Sequence, residues 1–129
     1  MNGHNYRKFR LSDKFISQYE DKQVPWGPVG YVTYKRTYAR LLSERDPDAV
    51  GTEEWYQTCR RVIEGMFDMQ KRHVTELGLE WIDSKSQKTA KDAYDRLFSL
   101  KWTPPGRGLW MMGTKFVEER TAAGLFNCA

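Results

Sequence analysis

Apolar and aromatic positions recur at helical spacing through most of this chain, and the clearest stripe lies in its middle. Beyond Thr52, the residues Trp55, Cys59, Val62, Ile63, Met66 and Phe67 fall at i, i+4, i+7, i+8, i+11 and i+12, the one-sided pattern of an amphipathic helix. Thr52 is its expected N-cap, Glu53 and Glu54 suit the positive end of the dipole, and Gly78 is the expected stop. A shorter helix is predicted over 12–19, capped by Ser12, with Phe15, Ile16 and Tyr19 on one face. Two prolines and two glycines in 24–30 predict a turn anchored by Trp26. Tyr31, Tyr34, Tyr38, Leu41 and Leu42 then predict a helix over 31–42, and 43–51 reads as a surface loop around Asp46-Pro47-Asp48. Ala90, Ala93, Tyr94, Leu97, Phe98 and Leu100 predict a last long helix over 86–102, ended by Pro104-Pro105.

Beyond the diproline the periodicity fades. The run from Leu109 to Met112 is short and apolar, which predicts a buried strand before Gly113-Thr114 turns the chain. Residues 115–121 read as a short helix or loop, and Leu125-Phe126-Asn127-Cys128 begins a second buried strand.

Length and composition narrow the class. A chain of 129 residues supports one small domain that buries about two-thirds of its unfolded surface. Hydrophobic residues make up 40% and aromatics 14%, enough for a core, and the many Trp and Tyr read first as core or interface anchors. The net charge is +4, but 21 basic residues are interspersed with 17 acidic ones, so no single-signed field marks a nucleic-acid face. On the helix over 31–42 the basic set is Lys35, Arg36 and Arg40, open to a nucleotide phosphate or to pairing with acidic neighbours. No stretch approaches the roughly 18 apolar residues of a membrane span and Met1 to Arg10 holds no signal-like apolar run, so a soluble, cytoplasmic protein is expected. Cys59 and Cys128 are too few for a disulfide framework or a zinc site. Cys59 lies in the apolar stripe and reads as a small buried hydrophobe; His73 reads as a surface histidine without companions at ligand spacing. Gly106 and Gly108 around Arg107 permit close approach of a phosphate but lack the spacing of a Walker loop or dinucleotide fingerprint.

Three blocks taken together are specific. Gly30-Tyr31-Val32-Thr33-Tyr34-Lys35-Arg36-Thr37-Tyr38-Ala39-Arg40, then Pro105-Gly106-Arg107 with Leu109-Trp110 and Gly113-Thr114, then Asn127-Cys128, resemble in the same order the N-terminal part of the monomeric adenosylcobalamin-dependent ribonucleoside-triphosphate reductases, the class II ribonucleotide reductases. The resemblance covers nearly the whole chain. It implies a mainly α fold here, an N-terminal helical region over 1–103 followed over 104–129 by the first strand or strands of a ten-stranded α/β barrel.

The resemblance also implies a chemistry. In such enzymes adenosylcobalamin starts a thiyl radical on a cysteine, that radical takes the ribose 3′ hydrogen, and a pair of thiols reduces the 2′ carbon as water leaves. Cys128 matches one reducing thiol on the first barrel strand, and Asn127 beside it is a candidate contact to the ribonucleoside triphosphate. A thioredoxin-like dithiol then re-reduces the pair. The radical cysteine, the second reducing cysteine and the cobalamin-binding region all match positions beyond residue 129, so the chain is expected to need the remainder of the reductase, as a second chain or a continuation, and to be inactive alone. A truncated product is an alternative. So is a boundary with an intein beginning at Cys128-Ala129, in which case Cys128 is not the reductase thiol. From another class, a noncatalytic helical module contacting a protein or nucleic acid predicts a stable monomer, whereas the reductase assignment predicts exposed apolar surface around 109–112 and 125–126.

Overall fold

The computed structural model describes residues 6–104 and 106–114. They form five helices in the order α1 (Asp13–Ser17), α2 (Pro28–Thr37), α3 (Trp55–Glu76), α4 (Asp83–Phe98) and α5 (Gly106–Met111), with a 3₁₀ turn at Leu42–Glu44. Among the described residues the only β pairing is an isolated antiparallel bridge between Leu41 and Thr52.

The axis of the fold is α3, and its apolar stripe is the core. Trp55, Cys59, Val62, Ile63 and Phe67 are all buried, facing Ala90, Tyr94, Leu97 and Phe98 of α4 in one cluster with Phe9, Leu11, Ile16 and Tyr19. Aromatic rings lock the layers, edge to face around Tyr19 and stacked or tilted around Trp26. Tyr19 lies 4.7 Å from Tyr94 and 5.0 Å from Phe98, and Trp26 lies 4.9 Å from Trp55 and 5.3 Å from Tyr34. These separations fall in the range where ring pairs contribute beyond their buried area. The aromatics and the Trp26 anchor thus occupy the packing roles expected of them.

The helix predicted over 12–19 is shorter, ending at Ser17, and four larger corrections follow, most of them caused by tertiary contact. The Ser12 cap forms as expected, accepting from the Phe15 N–H at 3.2 Å. Gly78 follows α3 with φ +75°, the left-handed stop a glycine supplies. The first correction concerns the start of α3, which is Trp55 rather than Thr52. The Thr52 backbone belongs to the bridge with Leu41, and the Gln57 side chain turns back to accept the Glu54 N–H at 2.8 Å.

The second concerns α2, which begins inside the predicted turn and ends at Thr37. Pro28 occupies the first helical turn, where its missing N–H is no loss. At the other end Glu53 draws Arg40 out of the helix: the Arg40 N–H donates to Glu53 Oε1 at 2.9 Å, and the Arg40 carbonyl accepts the Glu53 N–H at 2.8 Å. Third, α4 spans Asp83–Phe98 rather than 86–102. The carbonyl of Phe98 accepts the Trp55 indole N–H at 3.0 Å and Leu100 takes φ 60°, so the helix stops well before the diproline.

The fourth correction is the largest. Leu109 to Met112 is not a strand: residues 106–111 form α5. The exposed apolar surface expected around 109–112 is there only in part: Leu109 and Met112, three apart on one helical face, are 8% and 9% exposed, whereas Trp110 between them is 47% exposed. The second predicted strand, 125–128, lies outside the described residues.

Candidate functional site

Beside its apolar stripe α3 carries a second, polar stripe. Arg61, Glu64 and Asp68 fall at i, i+3 and i+7, and all are buried. Charged groups are almost never fully buried unless paired. Here each one grips a piece of backbone arriving from elsewhere in the chain.

Arg61 holds the C-terminal segment. Its guanidinium is bidentate to Glu53, with Nε donating to Oε2 at 2.9 Å and Nη2 to Oε1 at 3.1 Å. Its remaining donors reach the carbonyls of Leu109 at 2.7 Å, Met112 at 2.8 Å and Trp110 at 3.3 Å. A helix leaves its last carbonyls without intrahelical partners, and the planar, five-donor fork of arginine is suited to collect several at once. Arg61 donates to the carbonyls that the end of α5 leaves without helical partners. Glu53 is satisfied in turn by the Arg40 N–H and by Thr58 Oγ1, at 2.9 Å each. Thr58 also meets the Tyr34 hydroxyl, whose burial pushes its pKa well above the ordinary tyrosine value. Close backbone approach completes the seat: Gly65 of α3 faces Gly113, which has φ +78°.

Glu64, Arg60 and Asp68 hold the incoming segment. Glu64 Oε2 accepts the Leu11 N–H at 2.8 Å, and Arg60 Nη2 donates to the Leu11 carbonyl at 3.0 Å. Asp68 Oδ1 accepts the Phe9 N–H at 2.9 Å and the Tyr6 hydroxyl at 2.6 Å, while Oδ2 accepts from Arg72 at 2.9 Å. Burial alone would raise the Asp68 pKa, but the Tyr6, Phe9 and Arg72 hydrogen bonds outweigh it and hold the carboxyl below the ordinary aspartate range. A depressed folded pKa contributes stability that is present above the unfolded value and lost as pH falls through the folded one. Thermal unfolding should therefore show stability falling below about pH 4, and Asp68→Asn should make that fall shallower.

The residues singled out from sequence are distributed unequally around this seam. Cys59 lies fully enclosed, and burial pushes its thiol well above the ordinary cysteine value, so it is the inert core residue expected. His73 is on the exposed side of α3. Lys35 donates to the Glu53 carbonyl at 2.9 Å and pairs with Glu54 at 3.2 Å, and Arg40 pairs with Glu44 at 2.9 Å and covers the Trp110 ring at 4.5 Å. Two of the three basic residues on that segment are thus engaged internally, the paired alternative; Arg36 is exposed. The Thr114 hydroxyl donates to the Met111 carbonyl at 2.6 Å. Asn127 and Cys128 lie outside the described residues. What periodicity reasoning overlooked is the polar stripe itself. Its signal was available, since Arg61, Glu64, Gly65 and Asp68 share helical spacing next to the apolar face.

Among the described residues no three His, Cys, Asp or Glu side chains gather as a metal site, and no helix is long and apolar enough to cross a membrane. The seam holds no exposed nucleophile or acid–base pair. Its chemistry is positional: it fixes where the chain enters and leaves α3.

Comparisons with known proteins coincide with this region. A family model described as the ribonucleotide reductase alpha domain matches residues 11–114. A protein of Dictyostelium discoideum described as a probable adenosylcobalamin-dependent ribonucleoside-triphosphate reductase is 36% identical over 126 residues, covering 95% of this chain and 16% of its own. The adenosylcobalamin-dependent ribonucleoside-triphosphate reductase of Lacticaseibacillus paracasei is 39% identical over 119 residues, covering 92% of this chain and 15% of its own. The crystal structure of a B-12 dependent (class II) ribonucleotide reductase superposes with a TM-score of 0.75 at 34% identity, over 93% of this chain and 16% of that one. The chain spans about a sixth of the length of these relatives.

Proposed function

The chain belongs to the ribonucleotide reductase alpha domain family, and from that premise we propose that it forms the N-terminal helical part of an adenosylcobalamin-dependent ribonucleoside-triphosphate reductase. Residues 1–103 make the helical region, and 104–129 open the ten-stranded α/β barrel, with α5 tying the barrel's start to α3. The observation that carries this assignment is the match over residues 11–114, which contains Arg61 and its partners Glu53, Leu109, Trp110 and Met112.

In this assignment Cys128 supplies one of two reducing thiols and Asn127 contacts the bound ribonucleoside triphosphate. The step balances only with a pair. Two thiols give two electrons and two protons, the 2′ hydroxyl leaves as water, the 2′ carbon gains hydrogen, and the sulfurs join as a disulfide. Cys59 cannot be the second thiol, because it is enclosed in the core with its ionisation suppressed. The partner cysteine therefore comes from the remainder of the reductase, and a thioredoxin-like dithiol restores the pair. The enzyme works in the cytoplasm.

The described residues do not build a seat for adenosylcobalamin. One open groove among them, about 530 Å³, is lined by aromatic rings with Glu20, Lys22 and Glu54, and the described thiol is sealed. That cofactor belongs with the remainder of the reductase, and no step through it is assigned to these helices.

Mixing this chain with a polypeptide carrying the remainder should yield adenosylcobalamin-dependent conversion of a ribonucleoside triphosphate to its 2′-deoxy product, with neither piece active alone. Full activity of the remainder by itself would exclude the assignment.

A further inference from the structure

α2 is apolar on two opposite sides, and the described residues cover only one of them. Tyr34 faces inward, 3% exposed, against the rings of Trp26 and Trp55. Val29, Val32 and Arg36 fall at i, i+3 and i+7, on the side of the helix opposite Tyr34. Val29 is 80% exposed and Val32 52%. Single exposed valines are common, but a helix that is apolar on both sides ordinarily has both covered.

The outer strip ends in a cation. α2 contains no Asp or Glu, and of its two basic residues Lys35 is engaged by Glu54 and by the Glu53 carbonyl. Arg36 is exposed and makes no ion pair among the described residues.

The last turn of α2 also meets the way out of the described region. A Cβ at Gly106 would stand 3.1 Å from the Tyr38 hydroxyl oxygen. Arg61 Nη2, which holds the Leu109 carbonyl, reaches the Tyr38 carbonyl at 3.5 Å. α2 thus lies against α5, beside the point from which the chain runs on past Thr114.

We propose that the outer face of α2 docks on the remainder of the reductase, Val29 and Val32 against an apolar surface and Arg36 against a carboxylate at its edge. This rests on the reading of the chain as the N-terminal part of a larger enzyme. About five-sixths of the length of the relatives lies outside the stretch that this chain matches, and α2 borders the segment that leads toward it. The block from Gly30 to Arg40, which carries the family resemblance, includes Val32, Thr33, Arg36 and Thr37, all exposed, so packing among the described residues does not account for them. A second copy of this chain is a poor occupant of the same face, because α2 set against α2 offers Arg36 no carboxylate.

The test is a titration of the full chain, labelled with fluorescein at its N-terminus, with a polypeptide carrying the remainder, read by anisotropy. Val29→Asp with Val32→Asp should weaken association at least about tenfold, since it would bury two unpaired carboxylates. Arg36→Glu should weaken it too, and Arg36→Lys should restore most of it. Leu79→Asp, at an exposed apolar position in the turn after α3, should leave it unchanged. Undiminished association of the double-aspartate and Arg36→Glu variants would overturn the inference and leave the larger reading standing, as would an equal loss from Leu79→Asp. No association of the parent chain would overturn both. A dimer of this chain alone, abolished by the same substitutions, would give the face to a second copy and overturn the proposal.

Discussion

Arg61→Ala should be the most damaging single substitution in the described region, costing about 3–5 kcal/mol in a urea unfolding titration. The magnitude comes from what is left behind. Glu53 would remain as a buried carboxylate without its bidentate partner, and the carbonyls of Leu109, Trp110 and Met112 would lose their donor in a water-poor interior. A loss of this size is a large fraction of the 5–15 kcal/mol that stabilises an ordinary domain. Arg61→Met with Glu53→Gln separates the two components. It removes the buried charges, so part of the stability should return, but it offers nothing to the three carbonyls. The double variant should therefore fold with α5 loosened, visible as a changed emission of the half-exposed Trp110 and as faster proteolysis within 106–114. Equal stability of Arg61→Ala and the parent would show that the seam is decorative.

Gly65→Ala should come second, with a sign opposite to the usual one. In a helix interior, exchanging glycine for alanine normally stabilises by about 0.5–1 kcal/mol. Here a methyl group at residue 65 would stand 2.5 Å from the Gly113 nitrogen and 2.6 Å from its Cα. Those are backbone atoms, with Arg61 holding the preceding Met112 carbonyl at 2.8 Å and the following Thr114 N–H donating to the Met111 carbonyl at 3.1 Å, so they cannot yield as a flexible side chain would. An overpacking loss of about 1–3 kcal/mol is expected instead, with α5 displaced from α3. Gly113→Ala should cost at least as much, since its φ of +78° disfavours any side chain and its Cβ would run into the Arg61 carbonyl. A rise in melting temperature for Gly65→Ala would mean that the two glycine backbones do not meet.

The contrast between these two sites and the rest of the fold explains what could be read from the chain alone. The apolar face of α3 was legible because six positions keep one period from Trp55 to Phe67, and the burial of Cys59 followed from its place among them. Positions governed by long-range partners were not legible. α2 stops at Thr37 because Glu53 takes the Arg40 backbone, and nothing near Arg40 in sequence announces that. The run from Leu109 to Met112 is too short to carry a period, so strand and helix were indistinguishable until Arg61 supplied the donors for a helix end. Arg61, Glu64 and Asp68 were overlooked for a related reason: charged residues on a helix are ordinarily solvated, and only their partners at Leu109, Leu11 and Phe9 reveal that these are not. The resemblance that named the family rests on blocks spread along the chain. Two of these, Gly30 to Arg40 and the glycine-rich segment at 106–114, lie in α2 and in the segment Arg61 holds. Asn127 and Cys128 remain assigned by that resemblance.

The central claim is that this helical region delivers Cys128 as a reducing thiol. It is tested most directly by a single turnover of the reconstituted, pre-reduced enzyme without external reductant, followed by mapping of the disulfide formed. The account predicts one deoxynucleotide per active complex, a new disulfide that includes Cys128, and loss of both with Cys128→Ser. Undiminished product from the Cys128→Ser protein, with the disulfide formed between other cysteines, would contradict it.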